Sequence, residues 1–309
     1  MSPLDRRTDV EIVEVAPRDG FQPIGPFIET ATKIDFVRRL HAAGLRRIEI
    51  GSFVSASAVP QMADTPAVLD GVRGEATLLP QLLVPTERRG ADALATGAPM
   101  VAYVLSVSEA HNRNNVRRTP AESAADYERF ASSVPAGTPL RLSLATTFDC
   151  PFDGRIEPTD VMALLERLVP TRPDAEICLC DTTGRAVPDQ VRRVFGEAMA
   201  RFPDVRHWAM HGHDTYGLGL ANVFAAYEEG VRVFDAAAGG LGGCPFAPGA
   251  TGNTASEDVA WMFERMGVST GIDIEALRTV AEDAARLPGA QAGGRVRDAL
   301  RSRPELCGL

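Results

Sequence analysis

Short runs of apolar and β-branched residues recur along the chain, each followed by a stretch with helical spacing. The strand candidates are Val10–Val15, Arg46–Ile50, Thr77–Val84, Met100–Val107, Leu140–Ala145, Glu176–Cys180, His207–His211 and Val231–Ala236. Most are continuous rather than alternating, the pattern of parallel strands buried on both faces. Between them, Thr30–Ala43 carries Ile34, Val37 and Leu40 near one face and stops at Gly44. Pro158–Leu168 and Pro188–Arg201 open on proline, whose missing N–H costs nothing in a first turn. Glu87–Thr96, Pro120–Ser133, Leu218–Glu229 and Glu257–Met266 continue the alternation, and Asp273–Arg286 and Arg295–Arg301 follow it.

This alternation predicts an α/β protein with a parallel sheet, and roughly eight units suit closure into a (β/α)8 TIM barrel. An open doubly wound sheet is the alternative, weakened because no glycine-rich fingerprint follows the first strand. With no internal repeat or boundary in view, residues 1–309 read as one domain. The barrel spans about 10–270, and extra C-terminal helices over about 271–309 pack on it or on a partner subunit.

A length of 309 residues buries a full core without disulfides or a structural metal. The net charge of −9 argues against a general nucleic-acid binder, which needs a basic footprint. Five cysteines spread over such a length make no disulfide framework. No apolar run approaches the roughly 18 residues of a membrane span, and Met1 to Thr8 is polar, with no signal-peptide core. The expectation is a soluble, cytoplasmic protein with no membrane partner.

In such a barrel the chemistry gathers where strands end and loops begin. The predicted strand ends carry Pro17-Arg18-Asp19-Gly20, Glu49 to Ser52, Ser108 to Asn115, Asp149-Cys150, Asp181-Thr182-Thr183-Gly184, His211-Gly212-His213-Asp214 and Gly239 to Asn253. Side chains two apart on a strand point the same way, so His211 and His213 can bind one metal from one strand end. The bland alternative is one lumen histidine and one surface histidine. Asp19 and Asn253 are candidate oxygen ligands, and the mixed set suits Mg²⁺ or Mn²⁺ better than tetrahedral zinc. Arg18 is either a salt-bridge partner of Asp19 or Glu49, or a donor to a developing oxyanion. Cys244, in a glycine-rich loop suited to a mobile lid, is either a proton donor or an inert small residue. Cys178 and Cys180 read as small core residues, while Cys150 and Cys307 carry no clear signal.

The chain has a single lysine, Lys33, in the first turns of a helix rather than at a strand end. That argues against Schiff-base chemistry and against a carboxyltransferase that needs a modified barrel lysine. Carbon–carbon chemistry beside a carbonyl would then rest on a metal and Arg18.

The stretches VEVAPRDGFQ (13–22), IEIGSFVSASAVPQMAD (48–64), SEAHNRNN (108–115), CPFDG (150–154), DTTG (181–184), HGHDTYGLGLAN (211–222) and GGLGGCPFAPGATGN (239–253) occur in an informative order and spacing. In these the chain resembles the 3-hydroxy-3-methylglutaryl-CoA (HMG-CoA) lyase family of metal-dependent TIM barrels, from about Val10 to Gly271. The resemblance implies a lyase that cleaves HMG-CoA to acetyl-CoA and acetoacetate by a metal-dependent retro-Claisen reaction, a step of leucine degradation. It implies that Asp19, His211, His213 and Asn253 hold Mg²⁺ or Mn²⁺, that Arg18 stabilises the enolate and that Cys244 belongs to the catalytic loop. Glu49 and Asp181 would support the site, and Ser52 and Asn115 would contact the acyl-CoA substrate. It also implies a homodimer or larger homo-oligomer.

The sequence departs from the family pattern at Ser143, where a lumen tyrosine is expected, at Pro23-Ile24-Gly25, and at Asn114, where a basic residue is expected. By the resemblance, these positions lie near the acyl and coenzyme A contacts rather than at the metal. They keep open a related substrate, such as citramalyl-CoA or a longer branched hydroxyglutaryl-CoA. A condensing homologue and a silent acyl-CoA-binding barrel are the further alternatives. Arg113, Arg117 and Arg118 are either contacts for coenzyme A phosphates or a solvated run.

Overall fold

The computed structural model describes residues 8–243 and 252–302. The strands are β1 (Glu11–Glu14), β2 (Arg47–Ser52), β3 (Leu79–Val84), β4 (Met100–Ser106), β5 (Leu140–Ala145), β6 (Asp149–Cys150), β7 (Gly154–Arg155), β8 (Glu176–Asp181), β9 (Trp208–Gly212) and β10 (Val233–Ala236). Eight of them close a parallel barrel in the order β1-β10-β9-β8-β5-β4-β3-β2. The other two, β6 and β7, form a small antiparallel hairpin that no apolar run announces. The fold is thus the TIM barrel that the alternation predicts.

The helices are α1 (Thr30–Ala42), α2 (Thr65–Val72), α3 (Glu87–Ala95), α4 (Glu109–Val116), α5 (Pro120–Ser133), α6 (Pro158–Leu168), α7 (Pro188–Arg201), α8 (Gly219–Glu228), α9 (Ser256–Arg265), α10 (Ile274–Ala285) and α11 (Val296–Arg301). Most bounds fall within a residue or two of those expected. Two helices are additional. The α2 segment is only eight residues long and carries Gly71 in its interior, a poor helix signal, although Pro66 suits its first turn. The α4 segment is polar nearly all round and starts on the Ser108 cap, whose hydroxyl accepts from the His111 N–H at 3.0 Å.

The C-terminal helices pack on the barrel rather than standing off it. Asp273 N–H donates to the Ala43 carbonyl at 2.9 Å, and Asp258 on α9 accepts from the N–H groups of Arg295 and Val296. Gly293 N–H donates to the Gly239 carbonyl at 2.9 Å, so this segment buttresses the exit of β10. Lys33 is buried away from the lumen, its Nζ bonded to the Gln61 carbonyl and to Asp64 at 2.7 Å. It ties two loops together. Among the described residues, no helix is long and apolar enough to cross a membrane.

The lumen floor is charged. Arg47 and Arg141 are fully buried and both meet the buried carboxylate of Glu176. Above this floor lies the mouth at the carboxyl ends of the strands.

Candidate active site and metal centre

β1 runs out into a single wide turn, Ala16–Gly20, that carries Arg18 and Asp19. Its geometry comes from one carbonyl, Val15, which accepts from the N–H groups of Arg18, Asp19 and Gly20. Gly20 has to be glycine here, because a Cβ would stand 2.8 Å from that of Leu241. Glu14 anchors the turn from below, accepting from Ala16 N–H, Ala238 N–H and the Ser256 hydroxyl at 2.7–2.9 Å. Burial outweighs those bonds and pushes the Glu14 carboxyl up to about 7.

Arg18 is held between two carboxylates. Its Nε donates to Glu49 on β2 and its Nη1 to Asp19. Burial opposes the charge on Arg18, but Asp19 and Glu49 more than compensate and keep it protonated. Glu49 is in turn fixed by Gln81 on β3, whose Nε2 donates at 2.6 Å. At the level of contacts Arg18 is an ion-pair partner of Asp19 and Glu49, and it lines the cavity at the mouth.

His211 lies on β9, and His213 lies one residue beyond its end. The two rings are 5.2 Å apart between centroids. His213 Nε2 is 3.6 Å from Asp19, and His211 Nδ1 donates to Asp235 on β10 at 3.2 Å. An antiparallel bridge aligns His213 with Asn253, whose Nδ2 donates to Asp19 at 2.7 Å and to the Leu241 carbonyl at 3.0 Å. Burial would raise the Asp19 carboxyl, but Arg18 and the two histidines hold it well below the usual carboxylate range. Burial lowers His213 and favours the neutral, ligating form. Burial also works against a charged His211, but the Asp235 hydrogen bond prevails and pushes it up to about 9.

Among the described residues, Asp19, His211 and His213 bring donor atoms within 4.8 Å of one another. His213 Nδ1 and Asn253 Oδ1 are buried with no hydrogen-bond partner among the described residues. Unpaired buried polar atoms are costly, and a cation between them would satisfy the acceptors. Two imidazoles, a carboxylate and an amide oxygen make a donor set that suits Mg²⁺ or Mn²⁺.

These groups open onto a cavity of 660 Å³. Arg18, Asp19, Glu49, His211, His213 and Asp235 line one side, while Leu83, Val104, Ser143, Ala145 and Cys180 line the other. Asn115 and Arg89 line its outer part. Ser52 and Asp181 are not among the lining side chains. Ser52 is buried at the end of β2. Asp181 accepts from Ala186 N–H at 3.2 Å, and burial pushes its carboxyl up to about 7. Cys244 and Cys307 lie outside the described residues. Cys178 is a core residue as expected, but Cys180 reaches the cavity. Arg113 and Arg118 are paired with Glu109 and Asp126 at 2.8 and 2.6 Å and do not line it. The sequence reading passed over Asp235. Its signal was a lone carboxylate inside the apolar run 231–236.

A model of the HMGL-like family matches residues 9–284. The chain is 46% identical to the (R)-citramalyl-CoA lyase of Chloroflexus aurantiacus over 279 residues, covering 87% of each protein. It is 38% identical to a hydroxymethylglutaryl-CoA lyase of Bacillus subtilis over 274 residues, 88% of this chain and 91% of that one. Among solved structures, an HMG-CoA lyase of A. baumannii in complex with coenzyme A and 3-methylmalate superposes with a TM-score of 0.88. That pair is 38% identical and covers 96% of this chain and 97% of the other.

Proposed function

The chain belongs to the HMGL-like family and is a carbon–carbon lyase of acyl-CoA substrates, and from that premise we propose that it cleaves citramalyl-CoA to acetyl-CoA and pyruvate. The observation that carries this choice is the gradient of identity, 46% to a citramalyl-CoA lyase against 38% to a hydroxymethylglutaryl-CoA lyase over nearly the same span. Cleavage of HMG-CoA to acetyl-CoA and acetoacetate, the first expectation from the sequence, becomes the second reading. The two substrates differ by one methylene between the hydroxyl-bearing carbon and its carboxylate.

Asp19, His211, His213 and Asn253 would hold a divalent ion, which would supply Lewis acidity toward the substrate hydroxyl. Asp19 or a bound water takes the hydroxyl proton, since the Asp235 hydrogen bond and a ligating Nε2 leave His211 no free acceptor nitrogen. The bond between carbons 2 and 3 breaks. The hydroxyl-bearing carbon leaves as the ketone of pyruvate, and the electron pair passes to carbon 2 and the thioester oxygen. Arg18 donates to that oxygen as charge builds on it. Because Glu49 and Asp19 hold the guanidinium in advance, little reorganisation accompanies the step. Cys244 returns a proton to carbon 2, completing acetyl-CoA. The small side chains Val104, Ser143, Ala145 and Cys180 receive the branch on carbon 3.

The test supplies purified protein and Mn²⁺ with each acyl-CoA in turn and measures pyruvate, acetoacetate and acetyl-CoA separately. Pyruvate formation from citramalyl-CoA is expected, with a kcat/KM about 10-fold or more above that for HMG-CoA, the scale of one methylene in a shaped pocket. An equal or better rate of acetoacetate release from HMG-CoA would reverse the assignment.

A further inference from the structure

Asp235 joins two parts of the barrel. From the floor upward, Glu11 lies 3.2 Å from Arg47, and Arg47 donates to Glu176 at 3.0 and 3.1 Å. Arg141 donates to Glu176 through Nε and to both oxygens of Asp235 through Nη1, at 2.7 and 2.8 Å. Asp235 then accepts from His211 Nδ1. Arg47, Glu176, Arg141 and Asp235 are all at most 4% exposed. Buried ion pairs of this kind repay their desolvation poorly, so stability alone does not account for them.

We propose that Asp235, held by Arg141, is the positioning residue that fixes the ring of His211 and so sets how tightly the site takes its divalent ion. A hydrogen bond from Nδ1 to a carboxylate commits that nitrogen as donor and leaves Nε2 as the ligating atom. The carboxylate is itself pinned, because Arg141 engages both of its oxygens. Arg141 stands on β5, and β8 and β9 separate that strand from β10. The guanidinium therefore spans the lumen, and closure of the barrel sets the ring position. Among the described residues His213 meets no second carboxylate of this kind; the one beside it is Asp19, itself a candidate ligand, 3.6 Å from its Nε2.

The inference rests on the lyase reading only where activity is measured, and its main readout is metal affinity. Mn²⁺ binding is titrated by electron paramagnetic resonance well below the melting temperature for wild type, Asp235→Asn, Asp235→Glu and Glu11→Gln. Asp235→Asn should weaken Mn²⁺ by about 10–100-fold. Asp235→Glu keeps a charge for Arg141 but moves the carboxylate, and should weaken Mn²⁺ as well while the melting temperature stays near wild type. Glu11→Gln, at the far end of the network, should leave Mn²⁺ affinity unchanged. Excess Mn²⁺ should restore most of the lost kcat with little change in KM for the acyl-CoA. Unchanged Mn²⁺ affinity in both Asp235 variants overturns the inference, and so does equal weakening in Glu11→Gln, which would mean a general softening of the floor. Should Asp235→Asn fail to fold, Asp235→Glu decides alone by the same criterion. A wild type that takes up no Mn²⁺ removes the metal centre and this inference with it. A wild type that binds Mn²⁺ but cleaves neither acyl-CoA overturns the substrate reading only.

Discussion

The mouth of the barrel has two unlike halves. β9, β10, β1 and β2 are contiguous in the closed sheet, and so are β8, β5, β4 and β3. The first half presents Arg18, Asp19, Glu49, His211, His213 and Asp235 to the cavity. The second presents Leu83, Val104, Ser143, Ala145 and Cys180. Gln81 on β3 marks the seam, since it faces across to Glu49. The charged strand-end side chains thus sit on one wall; on the other the strands present small side chains, and ionisable groups enter through Arg89 and His111 of the helices that follow them. On this division, substitutions on the charged wall change metal binding and kcat, whereas those on the small wall change the ratio between substrates.

The largest expected break is at Arg18. Arg18→Met removes the donor to the enolate oxygen, and losing one such donor costs about 10²–10³ in kcat. Mn²⁺ should remain bound, because Arg18 is not a candidate ligand. A kcat close to wild type, measured by acetyl-CoA release, would remove Arg18 from the mechanism. Next is His213→Ala, which takes away a candidate ligand and should weaken Mn²⁺ by at least the 10–100-fold seen for outer partners. Elemental analysis after dialysis reads this directly, and unaltered metal content would strike His213 from the ligand set.

Ser143→Phe sharpens the comparison from the other wall. Bulk at Ser143 should lower kcat/KM about 10-fold for the substrate that is longer beyond carbon 3, and less for the shorter one. Mn²⁺ affinity should not move. A loss of Mn²⁺ affinity in this variant would show that the two walls are not separable.

The two halves were not equally legible in the sequence. Eight apolar runs announced the barrel because a strand buried on both faces has no polar face to confuse the pattern. The histidine pair was legible for a related reason, as residues two apart share a face. Asp235 hid inside such a run, where one carboxylate among apolar neighbours reads as an ordinary strand position. Asp181, expected to support the site, accepts through its backbone carbonyl from the His213 N–H at 3.3 Å. It stands next to Cys180, which reaches the cavity, and alternation along the strand turns the Asp181 side chain away from it. The small wall was the least legible, because serine, alanine, valine and cysteine carry no pattern that separates a cavity lining from a core. Only closure of the barrel shows which of them stay uncovered.

The smallest effect expected is a pH dependence of stability seated beneath the charged wall. Glu257 on α9 accepts from Gly239 N–H at 3.0 Å and is fully buried, and that burial pushes its carboxyl up to about 8. Glu14 props the Arg18 turn from the same side and is pushed up to about 7. Both values lie above those of the unfolded chain. Between the two sets the folded state holds more protons, so the slope of stability with pH is negative. The contribution is fully present below the unfolded values and is lost as pH rises through 7 and 8. Near pH 8, where such a group is half protonated in the fold, the loss is about 0.7 kcal/mol per pH unit, or about 1–3 °C in melting temperature. Glu257→Gln keeps the acceptor for Gly239 and cannot ionise, so its melting temperature should fall less steeply than that of wild type between pH 7 and 9. Parallel melting curves would mean that Glu257 is already ionised in the fold, with Arg297, 3.8 Å away, carrying more of its charge than burial removes.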